Sequence, residues 1–184
     1  MGFDLSGMNP NITTPQPELP PWDKRTAEDW EKYHEWRDEN CGVYFRNSVW
    51  EWRPLWDFIT ATCNDILTEK NIKGGDFNEG HKISKTKAGK IARKLYKLIE
   101  TDQVKAYESM YKKELDSLEQ TDCYICDSTG KRQEPPNTGA GDRECNGCNG
   151  TGKKDDWAKS YPFSEDNVRR FANFCANSGG FEIW

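Results

Sequence analysis

Two cysteine pairs, Cys123-Tyr-Ile-Cys126 and Cys145-Asn-Gly-Cys148, constrain this chain more than any other feature. Eighteen residues separate them, giving C-x2-C-x18-C-x2-C, a spacing that fits a four-thiolate metal site. Two residues between cysteines let both thiolates of a tight turn reach one ion at about 2.3 Å, and two such turns supply the corners of a tetrahedron. Gly130, Gly147, Gly150 and Gly152 give these turns access to positive φ. Between the pairs, Asp127 to Glu144 carries Pro135, Pro136, Gly139 and Gly141 and almost nothing apolar. Such a segment builds no core, so a metal has to hold it. The expectation is one structural Zn2+ on Cys123, Cys126, Cys145 and Cys148. Two free thiol pairs, another soft metal or a redox CxxC are the alternatives. A redox motif normally opens a helix in a βαβ context, and none is visible here.

The compartment bears on that choice. No apolar run approaches the roughly 18 residues of a membrane helix. The start, Met1-Gly-Phe-Asp, shows no basic region followed by an apolar stretch, so no secretory signal is read. The expected location is the cytoplasm, with no membrane partner, and disulfides are rare there. The net charge of −5 is a poor default for gripping nucleic-acid phosphates and suits a basic partner surface. Only 34% of the chain is hydrophobic, but 8 Trp, 7 Tyr and 8 Phe carry enough apolar area for a compact core.

Two resemblances follow from quoted residues. Cys145-Asn-Gly-Cys148-Asn-Gly150-Thr-Gly152 resembles the CxxCxGxG repeat of the cysteine-rich region of DnaJ-type chaperones. Cys123 to Gly130 resembles it less well, with Ser128 in place of a glycine. No His-Pro-Asp of a J-domain is present, so this likeness implies a zinc hairpin and not chaperone activity. More widely, Gly2-Phe-Asp-Leu with Asn9-Pro10, Tyr44-Phe-Arg-Asn47 with Trp50 and Trp52-Arg-Pro-Leu-Trp56, and Phe171-Ala-Asn-Phe174 with Asn177-Ser-Gly-Gly-Phe181 resemble a family of small phage and bacterial proteins. That resemblance covers most of the chain. It implies a role in the phage–host contest and no more; for a phage-encoded protein the expected location is the host cytoplasm.

Periodicity predicts a mainly α fold. Residues 1–12 read as a short extended segment and 13–22 as a proline-rich one. Thr26-Ala-Glu-Asp29 starts an acidic helix running to about Glu39. Val49, Trp52, Trp56, Ile59, Cys63, Ile66 and Leu67 fall on one helical face, with Pro54 in the first turns. Gly74, Gly75 and Gly80 mark a loop. Further helices are expected from Ser84 to Glu100, from Asp102 to Glu119, and after Ser164, the last stopped by Gly179 and Gly180. Phe181 to Trp184 tucks back or adds a short strand. The expected organisation is a helical domain over 1–120 with an extended N-terminal segment, a zinc knuckle over 121–155, and a C-terminal helix over 156–184 packing back on the first domain.

Three groups of residues are candidates for function. Arg46, Trp50 and Arg53 form an aromatic-arginine patch with Trp50 taken as exposed. Guanidinium forks and a ring suit an anionic, nucleotide-like ligand or a host protein. The same arginines could instead stack on aromatics or pair with Glu51 and Asp57. The second group is a basic run over 82–97, with Lys90, Arg93, Lys94 and Lys97 as weak anion binders. It keeps a nucleic-acid partner open, although a solvated face gives the same pattern and the stacking aromatics of a single-strand binder are nearly absent. The third is His34 and His81, which sit in no nucleophile or metal motif, and there is no P-loop or GxSxG. Cys63 and Cys175 lie on apolar faces, where cysteine behaves as a small hydrophobe. The expected function is a non-enzymatic zinc-containing binding protein that inhibits or sequesters a host defence component. The alternative is a nucleic-acid binder using helix 82–97.

Overall fold

The structure is a computed structural model and describes residues 2–184. Its α-helices are α1 (Ala27–Glu39), α2 (Val49–Thr62), α3 (Glu69–Gly75), α4 (Lys85–Glu100), α5 (Gln103–Ser117) and α6 (Glu165–Asn177). Its strands are β1 (Gly2–Gly7), β2 (Tyr44–Ser48), β3 (His81–Ser84), β4 (Thr121–Asp122), β5 (Lys131–Arg132), β6 (Arg143–Glu144), β7 (Lys153–Lys154) and β8 (Gly180–Ile183). Two compact units result. One comprises residues up to Glu108 together with Phe163–Trp184, and the other is Ser109–Pro162.

The expectation of a mainly helical protein is overturned. The first unit is mixed α/β, with a four-stranded antiparallel sheet in the order β2-β1-β8-β3. Register places Leu5 opposite both Phe45 and Ile183, and Phe181 opposite Ile83. Phe3, Leu5, Phe45, Ile83, Phe181 and Ile183 are all buried on one face. Asp4, Arg46, Lys82 and Glu182 alternate with them on the other, where Asp4 pairs with Arg46 and Lys82 with Glu182. Each strand is only four to six residues long. That is too short for a period-two pattern to stand out, and β1 pairs with a strand at the far end of the chain.

Helices α2, α4 and α6 cover the apolar face. Thr26 with Asp29 opens α1 as the sequence predicts, and a second capping box, Ser48 with Glu51, opens α2. Trp52 stacks between Phe3 and Trp56, with ring centroids 5.2 Å away on each side, and Phe171 meets Trp52 edge-on. Both indoles need acceptors once buried, and α3 supplies them. Trp52 Nε1 donates to Gly75 O at 2.8 Å, and Trp56 Nε1 to Ile72 O at 3.0 Å. The Gly74-Gly75 pair, read from sequence as a loop, is therefore the end of a short helix. Glycine is needed there because a Cβ on Gly75 would stand 2.0 Å from the Trp56 ring.

The proline-rich segment is anchored by α1. Asn40 is buried; its Oδ1 accepts from Thr13 N at 2.7 Å, and its Nδ2 donates to Trp36 O at 2.8 Å. Trp36 Nε1 donates to Thr14 O at 2.8 Å.

Candidate metal centre

The second unit is held in an unusual way. Among the described residues of 109–162, only Cys123, Cys126, Gly130, Cys145, Cys148 and Gly152 are buried, and Ile125 packs partly against the cysteines. The four sulfurs all lie within 4.8 Å of one another. Cys123 Sγ is 3.9 Å from Cys145 Sγ, and Cys126 Sγ is 3.7 Å from Cys148 Sγ. A disulfide needs about 2.05 Å, so these are not disulfides. A tetrahedral ion with bonds of about 2.3 Å has sulfur–sulfur edges of about 3.8 Å. The four thiols are thus a group that could hold one metal ion.

Local sequence builds this cluster twice. In the first knuckle Ser128 N donates to Cys123 O at 3.0 Å and Thr129 N to Cys126 O at 3.1 Å. In the second, Gly150 N donates to Cys145 O and Thr151 N to Cys148 O, each at 3.1 Å. Thr129 and Thr151 play the same part: each hydroxyl contacts the carbonyl of its second cysteine, at 2.6 Å and 2.7 Å. The knuckles also exchange bonds, Cys123 N to Gly152 O at 3.0 Å and Cys145 N to Gly130 O at 2.9 Å. Short ribbons β4–β7 and β5–β6 flank them. Ser128, at φ +63°, occupies the position that Gly150 fills at φ +75°.

Electrostatics prepares one thiol for ionisation. Burial opposes it at Cys148, but the Gly152 N–H, 3.3 Å from Sγ, and the neighbouring thiols outweigh burial and bring Cys148 down to about 7. At Cys126 burial wins and pushes the thiol up to about 11. A cation in the middle reverses that cost for all four, because thiolates are the ligating form.

The other expected site residues do not form one patch. Arg46 is exposed on the outer face of the sheet and 3.6 Å from Asp4. Arg53 lies on α2, which covers the opposite face, paired with Asp76 at 3.5 Å and over the Phe3 ring. Trp50 is half-buried rather than exposed and already has an interaction partner. Asp4 and Asp76 are the acids within ion-pair distance of the two arginines, and Asp57 also feels the charge of Arg53.

Of the basic run, Lys82 is on β3, while Lys90, Arg93, Lys94 and Lys97 are on α4 opposite its buried face of Ala88, Ile91, Ala92, Leu95 and Ile99. Lys94 is paired with Asp65 at 2.5 Å. Among the described residues, Lys90, Arg93 and Lys97 are exposed and make no ion pair. His81 lies 3.1 Å from Asn71 Nδ2 through its Nε2, and burial holds its pKa below the ordinary histidine value. Cys63 and Cys175 are buried in apolar surroundings, and burial pushes both thiols up. No helix of the described residues is long and apolar enough to cross a membrane.

No protein-family model, curated protein or solved structure matches the chain.

Proposed function

We propose that this chain is a non-enzymatic binding protein whose second unit is organised by one structural Zn2+ on Cys123, Cys126, Cys145 and Cys148. The observation that carries this reading is four buried sulfurs with edges of 3.7 and 3.9 Å in a unit that has no other side-chain core. Tetrahedral all-thiolate donors favour zinc or iron, and four protein ligands leave no open position for a substrate or activated water. The ion therefore supports structure rather than chemistry. Metal analysis with native mass spectrometry tests this: one zinc per chain is expected. A chain that is folded over 109–162 and metal-free after purification in zinc-containing buffer would overturn it.

The resemblance of the flanking motifs to phage proteins supports a phage-encoded inhibitor or sequestering protein aimed at a host defence component. Native mass spectrometry before and after incubation with host lysate tests that part. A gain of tens of kilodaltons fits a protein target and a gain of hundreds of daltons a small ligand; no gain removes the reading. The unpaired Lys90, Arg93 and Lys97 favour a second reading, a nucleic-acid contact along α4. It requires oligonucleotide binding at low salt that weakens steeply as salt rises.

A further inference from the structure

Three arginines from three elements share one cavity of about 280 Å3: Arg37 of α1, Arg46 of β2 and Arg170 of α6. Like charges gathered in one place repel, and this chain is otherwise acidic. Compensation from the fold is incomplete. Asp4 stands 3.6 Å behind Arg46, and Asp38 is the one carboxylate among the lining residues. Among the described residues, no carboxylate comes within ion-pair reach of Arg37 or Arg170. Arg37 Nε is buried and has no acceptor.

Aromatic faces, not acids, hold these two side chains. Arg37 Cζ lies 3.9 Å from the centroid of Tyr44, with Tyr33 at 5.8 Å, and Arg170 Cζ lies 5.6 Å from Phe45. Tyr44 is itself fixed by its hydroxyl, which donates to Asp4 Oδ1. Stacking sets the plane of a guanidinium while leaving its in-plane N–H groups free to donate. The result is two pre-oriented cationic side chains without a carboxylate partner, Arg37 and Arg170, beside Arg46, which keeps Asp4.

We propose that this cavity binds the phosphate group of a small molecule. A carboxylate is satisfied by one guanidinium fork, whereas a phosphate has enough oxygens and charge for several. The volume is just below the range of about 300–1,000 Å3 typical of whole-ligand pockets, so it suits the phosphate and leaves most of an attached group outside. The site lies wholly within the first unit. It does not depend on the metal centre, and the two readings fail separately.

The test is calorimetric titration at low ionic strength with inorganic phosphate and with adenosine monophosphate. The proteins are the wild type, Arg37→Gln, Arg170→Gln and Arg169→Gln. Arg169 is the control, because it is paired with Glu165 at 2.6 Å and does not line the cavity. Saturable one-site binding is expected, weakened roughly tenfold or more by Arg37→Gln and by Arg170→Gln, as for loss of a charged hydrogen bond. Arg169→Gln should stay within about twofold of wild type, as a surface substitution outside the site should. Arg170 is exposed on α6, so its variant keeps the test valid even if Arg37→Gln unfolds. Tighter binding of the nucleotide than of phosphate identifies a phosphate ester as the ligand, and equal binding identifies free phosphate. No saturation by either probe, or equal losses in Arg169→Gln and Arg170→Gln, overturns the proposal in favour of diffuse surface charge.

Discussion

Gly152 and Ser128 meet backbone to backbone across the cysteine hairpin: a Cβ on Gly152 would stand 2.1 Å from the Ser128 carbonyl oxygen. The same contact recurs on the other side, where a Cβ on Gly130 would stand 2.1 Å from Gly150 O. Both glycines also sit at φ +75°. This closeness lets four thiols converge on one point. Gly152→Ala combines a left-handed backbone with a clash against backbone that cannot swing away, and should destabilise the second unit by about 2–3 kcal/mol. The check is a chelator titration, in which the variant should release metal at a clearly lower chelator concentration than wild type.

Ser128 is the opposite case. It holds φ +63° where its counterpart is a glycine, a conformation that costs an ordinary residue roughly 1–2 kcal/mol. Ser128→Gly should recover part of this, about 0.5–1 kcal/mol after the extra freedom of glycine in the unfolded chain. A rise in the unfolding midpoint of residues 109–162 is the expected result; a fall would mean that the serine side chain contributes more than its backbone strain takes away.

Cys148→Ser removes one corner of the tetrahedron. With no other side-chain core nearby, residues 121–153 should lose amide protection while the sheet unit keeps its own. Hydrogen exchange reads both in one experiment. Retained metal with unchanged protection would sink the structural-metal reading. Metal affinity in the wild type should also fall as pH drops, because protons compete with the ion for the thiolates, and fall more steeply below about 7, where the Cys148 thiol is protonated as well.

His81 links the sheet to acidity. Burial, with Lys70 and Lys87 nearby, lowers its pKa below the ordinary 6.5. The unfolded chain therefore takes up a proton that the native state resists, so stability falls as pH drops below about 6.5. His81→Gln should flatten the pH dependence of Tm on the acid side. An unchanged slope would remove His81 as its source.

Asn40 joins α1 to the proline-rich segment through both of its side-chain groups. Asn40→Ala leaves Thr13 N and Thr14 Oγ1 without their present partner and should cost about 2–3 kcal/mol. Faster proteolysis within residues 10–22 would report the release of the segment.

Local chemistry was legible without coordinates wherever it is decided within a few residues. The CxxC turns, the helix start at Thr26, the stripe through Trp52, Trp56 and Ile59, and the burial of Cys63 and Cys175 each follow from spacing and side-chain type. These are interactions between near neighbours, and the chain carries their full description. That Ser128 keeps the left-handed backbone of the glycine it replaces needed the structure, because only backbone angles reveal it.

The sheet and the arginine cavity are decided by tertiary structure. Leu5 meets Ile183, and Arg37 and Arg46 share a cavity with Arg170, because strands and helices from opposite ends of the chain come together. A four-residue strand has no pattern of its own that names its partner, and an arginine's neighbours are not written beside it. Arg46, Trp50 and Arg53 are close in sequence, yet Arg46 lies on the outer face of the sheet while Trp50 and Arg53 belong to α2. The amino-acid sequence by itself determined the cysteine knuckles and the helical faces, since their energies are local. Tertiary packing alone decided the α/β architecture and which charges share a site, since both depend on contacts whose register is set only when the whole core closes.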